Sequence, residues 1–351
     1  MTDTNCAESV RMIRDSVGAI ASAGDLKRIR ALRGGSGRVD PAIWQQVVEM
    51  GWLTLLIDEE QGGLGLGVRE LTVIGEELGA ALVPEPVTAV VAMASLLTGS
   101  ARESVLDGTR IVIPAWREEI AGPDVEPRTA VNRGKVTGTK ILAAAADAAD
   151  AFVVSTESGA VLVERGDDGV ELALKRTQDG GLLGTLTMTD APCSPVAGDI
   201  NESLEMLALA HSGYLLGASE RAFRITLDYL GTREQFGRLI GSFQVLQHRA
   251  ADAKIQLALS RAVLDEAIAD IERRSPSVER MRSRSRAIAR VSDTAMLIAR
   301  EAVQMHGAIG ITDEHDIGLF CRKILAIYNH FGTASANRSR YLESLQMEHV
   351  E

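Results

Sequence analysis

The chain is poor in the residues that would cross-link it, hold a metal through thiolates or grip nucleic acid. Its 351 residues include three cysteines, Cys6, Cys193 and Cys321. They lie far apart and form no pair at ligand spacing, so neither a disulfide framework nor a thiolate metal site is expected. Aromatic residues make up 4% of a chain that is 46% hydrophobic, mostly Ala, Leu, Val and Ile, a balance that favours helix over sandwich. Positive charge is also short. Lys and Arg number 37 against 48 Asp and Glu, a net charge of −11, which argues against a nucleic-acid binder because phosphate neutralisation needs a clustered cationic surplus. The basic run from Arg273 to Arg290 is the local exception. Met281, Ile288 and Val291 interleave with it, so it reads as the polar face of a helix. No cationic-then-apolar leader opens the chain, and no unbroken apolar run is long enough to span a bilayer. A soluble, cytoplasmic protein with no membrane partner is expected.

What the sequence does contain is helical periodicity broken once by a β-rich middle. Residues 1–108 read as helical: Val10, Ile13, Val17 and Ile20 form one stripe, and Trp44, Val47, Val48 and Trp52 another. The stretch LLIDEEQGGLGLGVREL loosens the backbone at Gly62, Gly63, Gly65 and Gly67 before a helix expected over 68–82. Its spacing is not that of a P-loop, and no Lys-Ser/Thr follows. Pro84 and Pro86 then lead into an apolar helix over 87–97. From Gly108 the period changes to short, β-branched runs at 110–115, 130–131, 135–142, 151–156, 160–164, 170–174 and 182–188, punctuated by Gly and Asp. They predict an antiparallel β domain over 109–198. Helical patterning returns at Asn201 and continues to the end, giving an α+β chain divided as 1–108, 109–198 and 199–351.

Two long apolar stripes of the last division meet at a short turn. Leu215, Leu216, Ala218, Ala222, Phe223, Ile225, Leu227 and Leu230 form the first; Phe243, Leu246, Ala250, Ala253, Leu257, Val263, Leu264 and Ile268 form the second. The turn carries Arg233, Gln235, Phe236 and Gly237. A guanidinium, an amide and a ring beside glycine suit an anionic, planar ligand. They equally suit an interhelical turn with a solvated arginine.

The wording separates these readings. R-E-Q-F-G-R-L-I at 233–240, then S-F-Q and Q-H-R-A-A-D, resembles the helix-junction signature of the acyl-CoA dehydrogenase family. Q-M-H-G-A-I-G at 304–310, followed by Thr312, Glu314, His315 and Asp316, is similar to that family's Q-x-x-G-G-x-G-x-T-x-E-H-x. The glycine-rich stretch near residue 62 likewise resembles the loop that shapes the acyl pocket entrance. The chain is thus identified as a member of that family. The resemblance implies an N-terminal helical domain, a β-barrel-like middle domain and a C-terminal four-helix-bundle-like domain. It implies FAD as cofactor, an acyl-CoA thioester as substrate and an electron-transferring flavoprotein as acceptor. In the implied reaction a carboxylate removes the α proton while the β hydrogen leaves as hydride to the flavin.

Carried over residue by residue, the resemblance divides the chain's functional positions into kept and lost. Arg233, Gln235 and Phe236 match the motif that packs on the pyrophosphate of a neighbouring subunit's FAD. Gln304, Gly307 and Gly310 match the one that reaches the same cofactor near its ribose and phosphates. Thr333 stands at a further FAD contact, and Ala308 replaces a commoner glycine. The segments that would hold this chain's own flavin ring differ: IVIPAWREEIAGPD has no T-E-P-x-x-G-S-D pattern, and Leu142 and Ala144 replace the tryptophan and hydroxyl residue of the other motif. Phe331 and Leu207 occupy the family's two base positions, and Ala208 replaces an arginine. Glu202 and Glu205 are near Leu207, but an offset of two residues turns a helical side chain by about 200°. His211 and His330 could act as bases, although a lone His is more often structural. No catalytic base is assigned. The expectation is a hetero-oligomer in which this chain completes the FAD site of a Glu-bearing sister subunit, as in family pairs that act on steroid-CoA thioesters. The alternatives are a homomeric dehydrogenase with a non-standard base such as Glu205, a flavin-dependent monooxygenase on the same fold, and a structural subunit with no ligand.

Overall fold

Apolar side chains at helical spacing generate the first elements of the computed structural model, which describes residues 3–20, 26–32, 39–120 and 126–347. Helix α1 (Asp3–Ile20) buries Ile13 and Val17, and a short α2 (Lys27–Leu32) follows. Helix α3 (Pro41–Glu49) carries its own start signals. Proline opens it, and the Asp40 carboxylate accepts the Ala42 N–H at 2.9 Å. Its Trp44 and Val47 are buried. The glycine-rich stretch runs through a single tight turn at Glu59–Gln61 into α4 (Val68–Ala80). At its start the Glu70 carboxylate accepts the Gly67 N–H at 3.1 Å, placing negative charge at a helix N-terminus. Helix α5 (Val87–Ala94) is apolar nearly all round and correspondingly buried. Helix α6 (Gly99–Leu106) buries only Val105, and its polar sequence carries no apolar stripe that would announce it.

The middle of the chain forms two four-stranded sheets from β1 (Val112–Ala115), β2 (Ala130–Asn132), β3 (Lys135–Ala144), β4 (Ala151–Thr156), β5 (Gly159–Glu164), β6 (Val170–Arg176), β7 (Leu182–Pro192) and β8 (Ser194–Pro195). Their orders are β1-β4-β5-β8 and β2-β3-β7-β6. The expected antiparallel pairing holds for every pair but one. Strands β1 and β4 run parallel, with Val112 opposite Ala151 and Ala115 opposite Val154. Between them the chain makes the β2–β3 hairpin in the other sheet, and only a long connection of that kind lets neighbouring strands run the same way. All six residues of β4 are buried, which is why it reads as AFVVST without alternation.

Helices occupy the remainder: α7 (Ile200–Thr232), α8 (Gln244–Glu272), α9 (Ser277–His306), α10 (Ile317–Ile327) and α11 (Ala334–Met347). Helices α8 and α9 form an antiparallel hairpin. Ser260 Oγ lies 2.8 Å from Thr294 Oγ1, and the Arg249 and Arg290 guanidiniums reach Glu301 and Gln256 at 2.8 and 2.6 Å. Ile288, Val291, Ala295 and Ile298 line the buried side of α9. Its arginines are matched on the other: Arg286 pairs with Glu266, and Arg282 with Ser344. Helices α4 and α7 touch backbone to backbone, because a Cβ on Gly217 would meet the Glu76 carbonyl oxygen at 1.9 Å. The Glu76 carboxylate holds Arg261 of α8 through two bonds of 2.7 and 2.5 Å, and Arg261 also reaches Glu220 at 3.0 Å.

By contact the chain separates into two compact units. One comprises Met1–Arg30, Thr72–Val83 and Ala208–Glu351; the other comprises Ala31–Leu71 and Pro84–Leu207. The first is built on Leu78, Leu215, Leu257, Leu264, Ile298 and Phe320, and the second on Leu53, Leu55, Leu71, Ile113 and Phe152. No helix among the described residues is long and apolar enough to cross a membrane.

Candidate cofactor-contact site

The expected turn between the two long helices is a miniature β-hairpin. Strands β9 (Glu234–Gln235) and β10 (Arg238–Leu239) pair antiparallel, Gln235 opposite Arg238, leaving Phe236 and Gly237 as a two-residue loop. Both loop residues are left-handed, at φ 55° and 75°. That is the requirement of the turn type whose twist matches paired strands, and Gly237 meets it without strain. Phe236 does not, since an L side chain in that conformation costs about 1–2 kcal/mol. Its ring is 90% exposed. Phe243 meets it edge-on at 6.2 Å, and the Arg238 guanidinium lies 4.0 Å over the Phe243 ring. The Arg233 side chain is exposed and makes no ion pair among the described residues. Its backbone is fixed, donating to Tyr229 O at 2.9 Å and accepting from Ile240 N–H at 2.8 Å. Gln235 is exposed, and its amide donates to the Glu234 carbonyl at 2.8 Å.

The second motif lies at the end of α9. Gln304 is exposed on its last turn, and Gly307 ends the helix with φ 66° and ψ −141°, a conformation reserved for glycine. Gly310 is buried against Val303 and His306, and Ile311 beside it is 78% exposed. The two motifs are drawn together by three rings: His306 and His315 from the second motif, and Tyr229, which no motif marked. Tyr229, one turn before Arg233, stacks on His306, the residue before Gly307, at 4.5 Å and 21°. His315 packs against His306 at 4.5 Å and meets Tyr229 edge-on at 5.9 Å. His306 Nδ1 donates to Ala302 O at 2.7 Å, so the neutral ring keeps its lone pair on the buried Nε2, which has no partner among the described residues. Burial, and then the nearby His315, hold its pKa below the ordinary imidazole value. Burial lowers that of His315 too. A tyrosine inside an apolar stripe looks like core, and its partner is distant in sequence.

Thr333 stands apart from both motifs by its contacts. Its hydroxyl oxygen accepts the Ala336 N–H at 3.1 Å, capping α11, and leaves the hydroxyl proton available to donate. Both positions expected for a base are hydrocarbon. Leu207 is buried on α7, and Phe331 is buried before α11, its carbonyl held by Asn337 Nδ2 at 3.1 Å. Rings of His211 and His330 lie 5.3 and 5.2 Å from that of Phe331. His211 Nε2 donates to Ile327 O at 3.0 Å, and burial is the main cause that depresses the imidazole to about 4. It is therefore neutral near pH 7 but a weak base.

The segment expected to cradle a flavin ring is closed on itself. Strand β3 bulges between Lys140 and Ala143, with Leu142 left-handed at φ 58°. Ala144 offers no hydroxyl. The wholly buried Lys140 ammonium binds Glu118 Oε1 at 2.6 Å and Ser155 Oγ at 3.0 Å. Glu118 also accepts the Thr129 hydroxyl and N–H at 2.6 and 3.0 Å and the Arg128 N–H at 2.8 Å. Among the described residues no group of His, Cys, Asp and Glu could hold a metal ion, and Cys193 and Cys321 are free thiols.

Comparison with known proteins covers both ends of the chain. Residues 198–345 match the acyl-CoA dehydrogenase C-terminal domain, and residues 7–102 match the acyl-CoA dehydrogenase N-terminal domain. The chain is 30% identical over 331 residues to acyl-CoA dehydrogenase IpdE2 of Mycolicibacterium smegmatis, spanning 90% of this chain and 92% of that one. Among solved structures it is similar to the Tcur3481-Tcur3483 steroid ACAD G363A variant, with TM-score 0.90 and 25% identity over 98% of this chain and 99% of that one. It shares its fold with the ChsE4-ChsE5 complex from Mycobacterium tuberculosis, with TM-score 0.85 and 24% identity over 99% and 98% of the two chains.

Proposed function

Because the chain belongs to the acyl-CoA dehydrogenase family, a family of FAD-binding oxidoreductases, we propose that it acts as one subunit of a heteromeric member. In that role it completes the FAD site of a sister subunit, which carries the catalytic glutamate for α,β-dehydrogenation of an acyl-CoA thioester. One contrast carries the reading: Phe236 is 90% exposed between Arg233 and Gly237, while both base positions, Phe331 and Leu207, are buried hydrocarbon. The steroid ACAD named among the similar structures supports a steroid-CoA thioester as substrate class. An electron-transferring flavoprotein is the acceptor expected of such a pair.

FAD supplies the hydride acceptor when bound, and the residues present fit its ADP half alone. Arg233 would pair with pyrophosphate charge through a planar fork of donors. Gln235 and Gln304 would donate amide hydrogens, Phe236 would cover an apolar face, and the backbone at Gly307 and Gly310 would allow close approach. The Thr333 hydroxyl would donate one further bond. The ring half does not fit this chain, since Leu142 and Ala144 present neither an indole nor a hydroxyl, so no step is assigned to a flavin of its own. Proton abstraction is likewise assigned to the sister subunit.

The test is flavin absorbance near ~450 nm per chain, for protein purified alone and co-expressed with its candidate sister. Little flavin alone and one FAD per pair is the expected result. One FAD per chain in the isolated protein, with normal turnover, refutes it.

A further inference from the structure

We infer that Tyr229, His306 and His315 are positioning residues that lock the two cofactor-contacting segments into a single clamp. The inference rests on the proposed role of Arg233 and of the Gln304–Gly310 segment. The three rings come from three places: the end of α7, the last residue of α9 and the loop before α10. They touch as a set, with Tyr229 face to face on His306 and His315 closing the remaining side. Each is tied to a motif by a short stretch of backbone. The Tyr229 carbonyl accepts the Arg233 N–H at 2.9 Å, and the Gly307 N–H closes α9 onto the Gln304 and Val303 carbonyls.

The polar edges of the rings are fixed as well. His306 Nδ1 is held by Ala302 O at 2.7 Å, and His315 Nδ1 accepts the Ile317 N–H at 3.2 Å. The His315 loop is then gripped from its far side. Arg30 of α2 donates to the Asp313 carbonyl and to Asp316 Oδ1, the latter at 2.6 Å, and Arg322 of α10 binds the Asp313 carboxylate. His306 is 4% exposed, so its ring is placed to set geometry rather than to meet a ligand. A pyrophosphate must be met by Arg233 and by the α9 end at once. The ring stack sets the separation of those two donors.

The experiment is titration of FAD into the flavin-stripped assembly of the full chain with its sister subunit, followed by flavin fluorescence, beside the thermal midpoint of the stripped assembly. Tyr229→Leu keeps bulk but loses the aromatic face, and should weaken FAD about tenfold, the scale of one lost aromatic pair. Tyr229→Phe keeps the ring and should bind as the parent does. Should Tyr229→Leu fail to assemble, His315→Leu, on a half-exposed loop, carries the same expectation. Parent-like FAD affinity in the leucine variant overturns the inference, and so does equal weakening in the phenylalanine variant. Arg233→Ala separates the two layers. If it leaves FAD affinity unchanged, the clamp reading itself fails; if it weakens FAD while Tyr229→Leu does not, only the ring inference fails.

Discussion

Removing Glu118 should damage the β region more than removing Lys140, although the two form one ion pair. In Glu118→Leu the wholly buried ammonium keeps, among the described residues, only Ser155 Oγ as partner. An uncompensated buried charge of that kind costs about 3–5 kcal/mol, and this one belongs near 4. In Lys140→Met the carboxylate still accepts two bonds from Thr129 and one from the Arg128 N–H, so about 2 kcal/mol is expected. The double variant replaces the pair by hydrocarbon and should recover most of the loss in Glu118→Leu. Burial alone would raise the Glu118 pKa. Hydrogen bonds from Lys140, Thr129 and Arg128 together outweigh it and pull the carboxyl from 4.5 to about 2. A depressed folded pKa gives stability that is fully present above the unfolded value and is lost as pH falls through the folded one. The window is therefore from 4.5 down to about 2, and the shift corresponds to about 3 kcal/mol.

A chain with two compact units need not unfold in one step, so the readout should be local. Amide exchange of peptides covering β3 and β4, at pH 7 and at the acid end of the window, measures it directly. The acid-dependent loss of protection should shrink in Lys140→Met, whose carboxyl lacks its strongest donor. If Lys140→Met costs more than Glu118→Leu, or if the double variant is no better than Glu118→Leu, the reasoning fails.

Phe236→Asn should stabilise the isolated chain by about 1 kcal/mol by easing the left-handed turn, and weaken flavin retention in the assembly; thermal midpoint and flavin absorbance read the two. Gly217→Ala should cost about 3 kcal/mol or more in thermal or urea unfolding, because its Cβ meets the Glu76 carbonyl at 1.9 Å. Gly18→Ala, with nothing within 4 Å on an exposed helix face, should instead stabilise by up to about 1 kcal/mol. His211, held neutral by burial, has its folded pKa near 4 against an ordinary 6.5, so its contribution is complete above 6.5 and lost as pH falls toward 4. That loss is at most about 3 kcal/mol, and a His211→Leu chain should show a correspondingly flatter urea midpoint across the window.

The strands were legible because their signals are local. β-Branched runs closed by Gly and Asp placed 151–156 at the observed bounds of β4. The direction of β1 relative to β4 was not, since it depends on a long connection rather than on either run. Helix α6 lacks an apolar stripe, and the 234–239 hairpin has strands of only two residues with phenylalanine where a turn prefers Asn or Gly. Motif wording singled out Arg233, Phe236 and Gln304 as candidates, but nothing in it announced Tyr229 or the dependence of Lys140 on Glu118. Those roles exist only as pairings between distant positions, and a single side chain does not carry them.

Unmet demand for contact is distributed unevenly, and this favours a subunit that completes another's site. Around Glu118 and Lys140, beside the segment expected to hold a flavin ring, the buried charges are matched inside the chain. The hairpin and the segment after α9 are the reverse. Phe236 and Ile311 lie in water, where their rings and methyls gain none of the roughly 1.5–3 kcal/mol that burying such a side chain provides. Phe236 carries a left-handed backbone in addition, and Arg233 has no ion pair among the described residues. These groups lie on an exposed turn and a helix end, where the proposed cofactor of a sister subunit would meet them.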